Sequence, residues 1–258
     1  MSGFLFNDII FGPVRSRRLG LSLGINLLPL HSKYCSFNCI YCECGWTPPS
    51  QANPPEFPAR AEVAKYLEHR LQELSADDYL PDAITYAGNG EPTLHPEFAE
   101  IVDDTISLRD KYAPHAKVTV LSNASMIHDS AVFHALQKLD NNILKLDAGS
   151  DKMFNLINNP VEPVQLADLI ENLKKFHGNL MIQSMFLRGS FKRQVVDNTV
   201  DKEVEAWIGY LLEIAPKMVM IYPIARATPV HNLEIIGLNE LGAIAEKVRQ
   251  AGLKVQVY

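Results

Sequence analysis

Lys33-Tyr34-Cys35-Ser36-Phe37-Asn38-Cys39-Ile40-Tyr41-Cys42-Glu43-Cys44-Gly45 decides how the rest of the chain is read. All four cysteines of the 258 residues lie in it, and Cys35, Cys39 and Cys42 have the spacing Cys-x3-Cys-x2-Cys. Thiolates this close in sequence can converge on one metal centre, because the chain wraps round the metal without leaving it. Iron–sulfur cubes are held by thiolates, and four irons call for four ligands. Three ligands and one open iron make a reactive site rather than an electron wire. A disulfide pair would suit a secreted protein, of which there is no other sign. A structural zinc site would take two ligand pairs separated by a longer span, and no His-x3-His follows the cysteines. A closed four-thiolate site that includes Cys44 is sterically conceivable.

Outward from this loop, the chain suits one large domain or two small ones. Its hydrophobic content of 47% is that of a globular core. The net charge of −6 argues against a broad nucleic-acid footprint, though not against a local basic patch. The apolar run over residues 4–11 carries Asp8 and lacks a basic region and a cleavage site, so it does not read as a signal peptide. No stretch is apolar for long enough to span a bilayer. Clustered free thiols without a targeting segment point to a reducing cytoplasm and no membrane partner.

Residues 1–20 read as a lead-in that carries Arg15, Arg17 and Arg18. These arginines are either a solvated turn with carboxylate partners or a site for phosphate or substrate carboxylate at a barrel mouth. Residues 21–28 form a first strand, and the cysteine loop follows its end. Residues 46–58, rich in Pro, Ser and Asn, form a loop. A helix over 60–74 aligns Val63, Leu67, Leu71 and Leu74. The chain then alternates. Strands fall at 83–87, 117–121, 143–146, 180–187 and 218–224, with a last one at 253–257. Between them lie helices opened by Pro96 and capped by Asp129 and Asn239, others near Met153 and through Leu166, Leu169, Ile170 and Leu173, and one over 203–214. Alternation of this kind argues an α/β fold with a parallel sheet, as a barrel or doubly wound.

With Tyr41 just before its last motif cysteine, the loop resembles the signature of the radical S-adenosylmethionine (radical SAM) enzymes. Ala87-Gly88-Asn89-Gly90-Glu91-Pro92-Thr93-Leu94 looks like that family's Gly-Gly-Glu motif. Ser16-Arg17-Arg18-Leu19-Gly20 and Leu144-Lys145-Leu146-Asp147-Ala148 resemble a subgroup of small radical SAM oxidoreductases. That subgroup is similar to the catalytic domain of the wybutosine-pathway tRNA enzymes and to the minimal activating enzymes. The resemblance runs along nearly the whole chain. It implies an open, partial (β/α)6 barrel of parallel strands, a single domain over 1–258 whose cluster-binding loop is 35–44.

The resemblance also implies a [4Fe–4S] cube on Cys35, Cys39 and Cys42, with S-adenosylmethionine chelating the fourth iron and Cys44 a spare thiol. An electron from flavodoxin or ferredoxin would then cleave S-adenosylmethionine to methionine and a 5′-deoxyadenosyl radical, which takes a hydrogen from the substrate. Tyr41 would lie near the adenine. The glycines of Gly88-Asn89-Gly90-Glu91 let backbone approach a ligand closely, and carbonyls there, with Glu91, could accept from the methionyl ammonium. Ser122 and Asn123 end a strand and suit ribose hydroxyls or the methionyl carboxylate, or else a turn. Lys145 and Asp147 share one face of their strand. They either pair with each other or, by the resemblance, meet the cofactor carboxylate and a hydroxyl. Gln183 points inward, Tyr222 shapes the adenine pocket, and Arg188 and Arg226 at strand ends could bind an anionic substrate. His95 is expected to be structural. No catalytic acid or base is singled out. Three substrate classes fit: a tRNA base, weakened by the acidic composition and the lack of an appended flavodoxin-like or RNA-binding domain; a glycyl-radical enzyme or peptide; and a small metabolite. The rival of another class is a non-catalytic zinc or closed-cluster protein of electron transfer or regulation.

Overall fold

In a computed structural model that describes residues 3–49 and 56–258, the chain opens with two antiparallel strands, β1 (Ile10–Ser16) and β2 (Gly20–Ile25). The elements after them are α1 (Arg60–Ala76), β3 (Ala83–Tyr86), α2 (Phe98–Tyr112), β4 (Lys117–Ser122), α3 (Ser130–Gln137), β5 (Asn141–Lys145), α4 (Asp151–Ile157) and α5 (Leu166–Lys174). The second half holds β6 (Met181–Met185), β7 (Leu187–Phe191), β8 (Gln194–Asp197), α6 (Asp201–Ile214), β9 (Met218–Tyr222), β10 (Glu234–Ile235), α7 (Leu238–Gln250) and β11 (Val255–Val257). Residues 50–55, inside the loop expected over 46–58, lie outside the described residues.

The main sheet has the order β1-β2-β3-β4-β5-β6-β9-β11, and every pairing in it except β1 with β2 is parallel. This is the expected open, partial barrel of parallel strands, with one further strand on each side. Helices cover its outer face. Val63, Leu67, Leu71 and Leu74 of α1 are buried, as are Leu166, Leu169, Ile170 and Leu173 of α5, since residues three and four apart share one face. The strands are nearly continuously apolar because both their faces are covered.

Four expectations need correction. The lead-in is not featureless: β1 pairs with β2 along the sheet edge, and its exposed residues break the alternation that marks a strand. The strand expected over 180–187 ends at Met185, and the chain turns into a separate antiparallel sheet of order β10-β7-β8. Pro96 precedes the N-cap residue Glu97 rather than opening α2. The N-cap of α7 is Gly237, so Asn239 lies inside its first turn. Asp129 does cap α3, with Oδ1 accepting from Ala131 and Val132 N–H.

Candidate active site

The inner face of the sheet encloses a cavity of about 490 Å³, the size of a small-molecule site. Cys35, Cys39 and Cys42 border it, with Gly88, Gly90 and Glu91 after β3, Ser122 and Asn123 at the end of β4, Lys145 on β5, Gln183 on β6 and Tyr222 on β9. These residues meet because the cysteine loop and the ends of parallel strands all lie at one end of the barrel.

The loop has almost no regular structure of its own and is fixed by its neighbours. On one side Tyr34 N–H donates to the Asn89 carbonyl (2.9 Å) and Glu91 N–H to the Tyr34 carbonyl (3.1 Å). On the other, at the end of α4, Asn38 N–H donates to the Asn159 carbonyl (3.0 Å) and Ile40 N–H to the Ile157 carbonyl (2.9 Å). Close approaches to the turn explain its glycines. A Cβ on Gly90 would lie 1.8 Å from the Tyr34 carbonyl oxygen, and one on Gly88 would lie 2.3 Å from Asn26 Oδ1.

Amide donors face the sulfurs. Cys35 Sγ receives Phe37 N–H at 3.4 Å and Asn123 Nδ2 at 3.5 Å, and Cys39 Sγ receives Asn158 Nδ2 at 3.5 Å. Burial pushes the Cys35 thiol up to about 12 and raises Cys39 as well. Cys42 is lowered to about 5, first by a hydrogen bond from Cys44 and then by the Lys33 ammonium. Buried Cys44 lies beside Cys42, its Sγ 3.5 Å from the Gly88 carbonyl. Lys33 is 2% exposed and donates to the Gly45 carbonyl at 2.9 Å. Three thiols with amide donors and a buried ammonium around them fit an iron–sulfur cube, whose thiolates bind separate irons. Among the described residues no three His, Cys, Asp or Glu side chains converge as one zinc ion would need.

The side chain of Glu91 acts as a clamp. Its Oε1 accepts from Thr93 N–H (3.2 Å), Thr93 Oγ1 (2.5 Å) and Ser122 Oγ (2.8 Å), and its Oε2 from Asn123 N–H (2.6 Å). Burial raises its carboxyl, and these four donors offset part of the rise. Ser122 therefore serves Glu91. Asn89 does not reach the cavity: it is fully buried and ties down Phe6 and Pro29. Asp147, with a fully buried carboxylate, accepts from Met185 N–H, Asn158 Nδ2 and the Tyr41 hydroxyl, so it lies beneath the cavity wall. Lys145 donates to the Tyr41 hydroxyl at 2.7 Å, and its ammonium lies 4.9 Å from the Tyr41 ring centre. Burial lowers the Lys145 pKa, but Asp147, Tyr222 and the cysteines reverse this and hold it above the ordinary lysine range.

The arginines divide. Arg188 is drawn away from the cavity, because its strand belongs to the second sheet, where Glu240 and Asp197 pair with it. Arg226 borders the cavity but pairs with Glu43. Arg17 and Arg18 sit on the β1–β2 turn, at the end of β2 opposite the expected mouth, because an antiparallel hairpin reverses the chain there. Arg18 nonetheless reaches inside. His95 is structural as expected: it is buried, its Nδ1 accepts from Glu97 N–H and its Nε2 bonds the Pro58 carbonyl. Lys33, Thr93 and Asn158 were missed. Lys33 stands two residues before the first cysteine, a signal that could have been read; Asn158 carries none.

The sequence model of the radical SAM superfamily matches residues 30–197. The chain belongs to the radical SAM superfamily, and its cofactors are a [4Fe–4S] cluster and S-adenosylmethionine. A UPF0026 protein of Methanocaldococcus jannaschii is 34% identical over 71% of this chain and 55% of its own length. The chain thus spans about half the length of that curated relative. Among solved structures, a radical SAM methyltransferase from Sphaerobacter thermophilus matches with a TM-score of 0.66 at 12% identity, over 92% of this chain and 65% of that one. Archaeal TYW1 matches with a TM-score of 0.55 at 13% identity, over 89% and 72%. At such identities the likeness is one of fold. Among the described residues no helix is long and apolar enough to cross a membrane.

Proposed function

We propose that this chain is a single-domain radical SAM enzyme, of oxidoreductase or transferase type, that abstracts hydrogen from its substrate. The observation that carries the reading is the meeting of the three motif cysteines with the Gly88–Glu91 turn on one cavity. When bound, the reduced cluster and S-adenosylmethionine supply a 5′-deoxyadenosyl radical. Cys35, Cys39 and Cys42 would hold the iron, and the buried Lys33 ammonium would compensate the charge of the sulfurs. Phe37 N–H, Asn123 and Asn158 direct amide hydrogens at the sulfurs, a means by which proteins set cluster potential. Gly88 and Gly90 keep backbone open to a ligand, and Glu91 locks that turn to the end of β4. Tyr41, fixed between Lys145 and Asp147, closes the wall beside Cys39 and Cys42 and excludes water. A flavodoxin or ferredoxin delivers the electron, in a reducing cytoplasm.

The test is anaerobic reconstitution with iron and sulfide, followed by S-adenosylmethionine and dithionite, with 5′-deoxyadenosine read by mass spectrometry and Cys39→Ala as control. Product from the wild type alone is expected. Absence of product, together with no S-adenosylmethionine-induced change in the EPR signal of the reduced cluster, would return the chain to the electron-transfer or structural-metal class.

A further inference from the structure

The chain is acidic overall, yet its cavity is bordered by more cations than carboxylates. Most of these charges have partners. Glu91 is saturated by four donors. Glu43 pairs with Arg226. Lys33 stands among the cysteines, and Lys145 beside Tyr41 and Asp147. Arg15 and Arg17 are exposed and also border an outer groove with Asp78 and Asp82. Arg18 is left. From the β1–β2 turn its side chain crosses the interior of the open barrel to the opposite strands. Its Nη1 donates to Gln183 Oε1 at 2.9 Å, and its guanidinium carbon lies 5.0 Å from the Tyr222 ring centre. Among the described residues no carboxylate is within ion-pairing distance of Arg18. Gln183, only 4% exposed, turns a neutral oxygen towards it.

A guanidinium inside a cavity, held by a neutral amide and an aromatic face, keeps most of its N–H groups and its full charge available. That combination suits a carboxylate or a phosphate, which takes two parallel N–H bonds from one guanidinium. Arg18 stands on the first hairpin and Gln183 on β6, and both border the cavity that Cys35, Cys39 and Cys42 border. We propose that Arg18, oriented by Gln183 and Tyr222, receives a carboxylate or phosphate group of the substrate, which is therefore a small anionic molecule. The assignment rests on the radical SAM reading above for its reaction, and on the geometry of Arg18 for its ligand class.

The test uses reconstituted protein loaded with S-adenosylmethionine and measures equilibrium binding of radiolabelled inorganic phosphate and, separately, succinate. One of the two binds saturably to the wild type, and which one does distinguishes a phosphate-bearing from a carboxylate-bearing substrate. Arg18→Gln weakens that binding by about tenfold or more, and Arg18→Lys restores part of it. Gln183→Glu guards against misfolding, because it places a carboxylate against the same guanidinium and keeps Arg18 in place. It also loses anion binding by about tenfold or more, while its melting temperature is no lower than that of the wild type. If neither anion binds saturably, or if both variants bind as well as the wild type, Arg18 is a strut that closes the barrel and the proposal is wrong. The EPR response to S-adenosylmethionine, recorded on the same samples, separates the two readings: a wild type that shows that response but binds neither anion refutes the Arg18 assignment alone.

Discussion

Glu91 is the residue at which a ligand role and a framework role predict different outcomes. In Glu91→Gln the amide offers one oxygen where the carboxylate offers two. With the oxygen at the Oε1 site, the new NH2 faces Asn123 N–H across what was a 2.6 Å bond. With the amide turned over, the NH2 faces Thr93 N–H, while the hydroxyls of Thr93 and Ser122 can rotate to accept. Either way one buried backbone N–H loses its acceptor, which costs about 1–3 kcal/mol, and the remaining bonds lose the strength a charged acceptor gives. Relief from burying a carboxylate opposes this. The net destabilisation is about 2–4 kcal/mol. The assay is urea unfolding of the apoprotein under reducing conditions, followed by circular dichroism, with no cofactor present. A stability within about 0.5 kcal/mol of the wild type would refute the clamp and leave Glu91 a ligand contact only.

Three further outcomes are expected. Cys44→Ala retains the iron content of the reconstituted wild type, whereas alanine at Cys35, Cys39 or Cys42 loses it; equal loss from Cys44→Ala, read by iron and sulfide analysis, would mean a closed four-thiolate site. Gly90→Ala drives a methyl into the Tyr34 carbonyl and costs about 3 kcal/mol, so it releases the loop and lowers both the unfolding midpoint and iron uptake. Burial holds the His95 imidazole below its ordinary 6.5. The unfolded chain therefore takes up that proton first as the pH falls, and the stability from this source is present above about pH 6.5 and lost towards the folded value. His95→Gln should show a smaller drop in melting temperature than the wild type between about pH 7.5 and about pH 5.5; identical drops would show that His95 does not titrate in this way.

The parallel framework was legible because each inner strand is a short apolar run with a helical stripe after it, as in β3 and α2 or β9 and α7. The cysteines and the glycine turn were legible because their chemistry is local: thiols at fixed spacing, and glycines where a side chain would collide. What escaped was set by distance along the chain. Asn158 reaches Cys39 across 119 residues, and Arg18 reaches Gln183 across 165. Residue type told that Asp147 and Glu91 were special, but not that each would be enclosed by donors from its own protein. Arg188 looked like a strand-end cation until β7 carried it into another sheet beside Glu240. The turn at Arg17 and Arg18 looked like a mouth, and lies at the opposite end because β1 runs against β2.

Lys33 shows why these pieces belong together. An ammonium 2% exposed is costly unless a negative charge compensates it. Among the described residues no carboxylate pairs with Lys33, and its one hydrogen bond runs to the Gly45 carbonyl. Burial pulls its pKa down, but the charges of Cys42, Cys35, Cys39 and Cys44 push it up, and the net shift is upward. With neutral thiols around it, the same ammonium would be a buried charge without a counterion. Cys42, lowered to about 5, meets part of that charge as a thiolate, while burial holds the Cys35 and Cys39 thiols in the protonated form unless something takes the proton's place. Iron bound there would displace those protons and leave the negative charge of the thiolates facing Lys33. The loop sequence thus carries a counter-charge with its cysteines, and the backbone bridges at Tyr34 and Ile40 hold both in position.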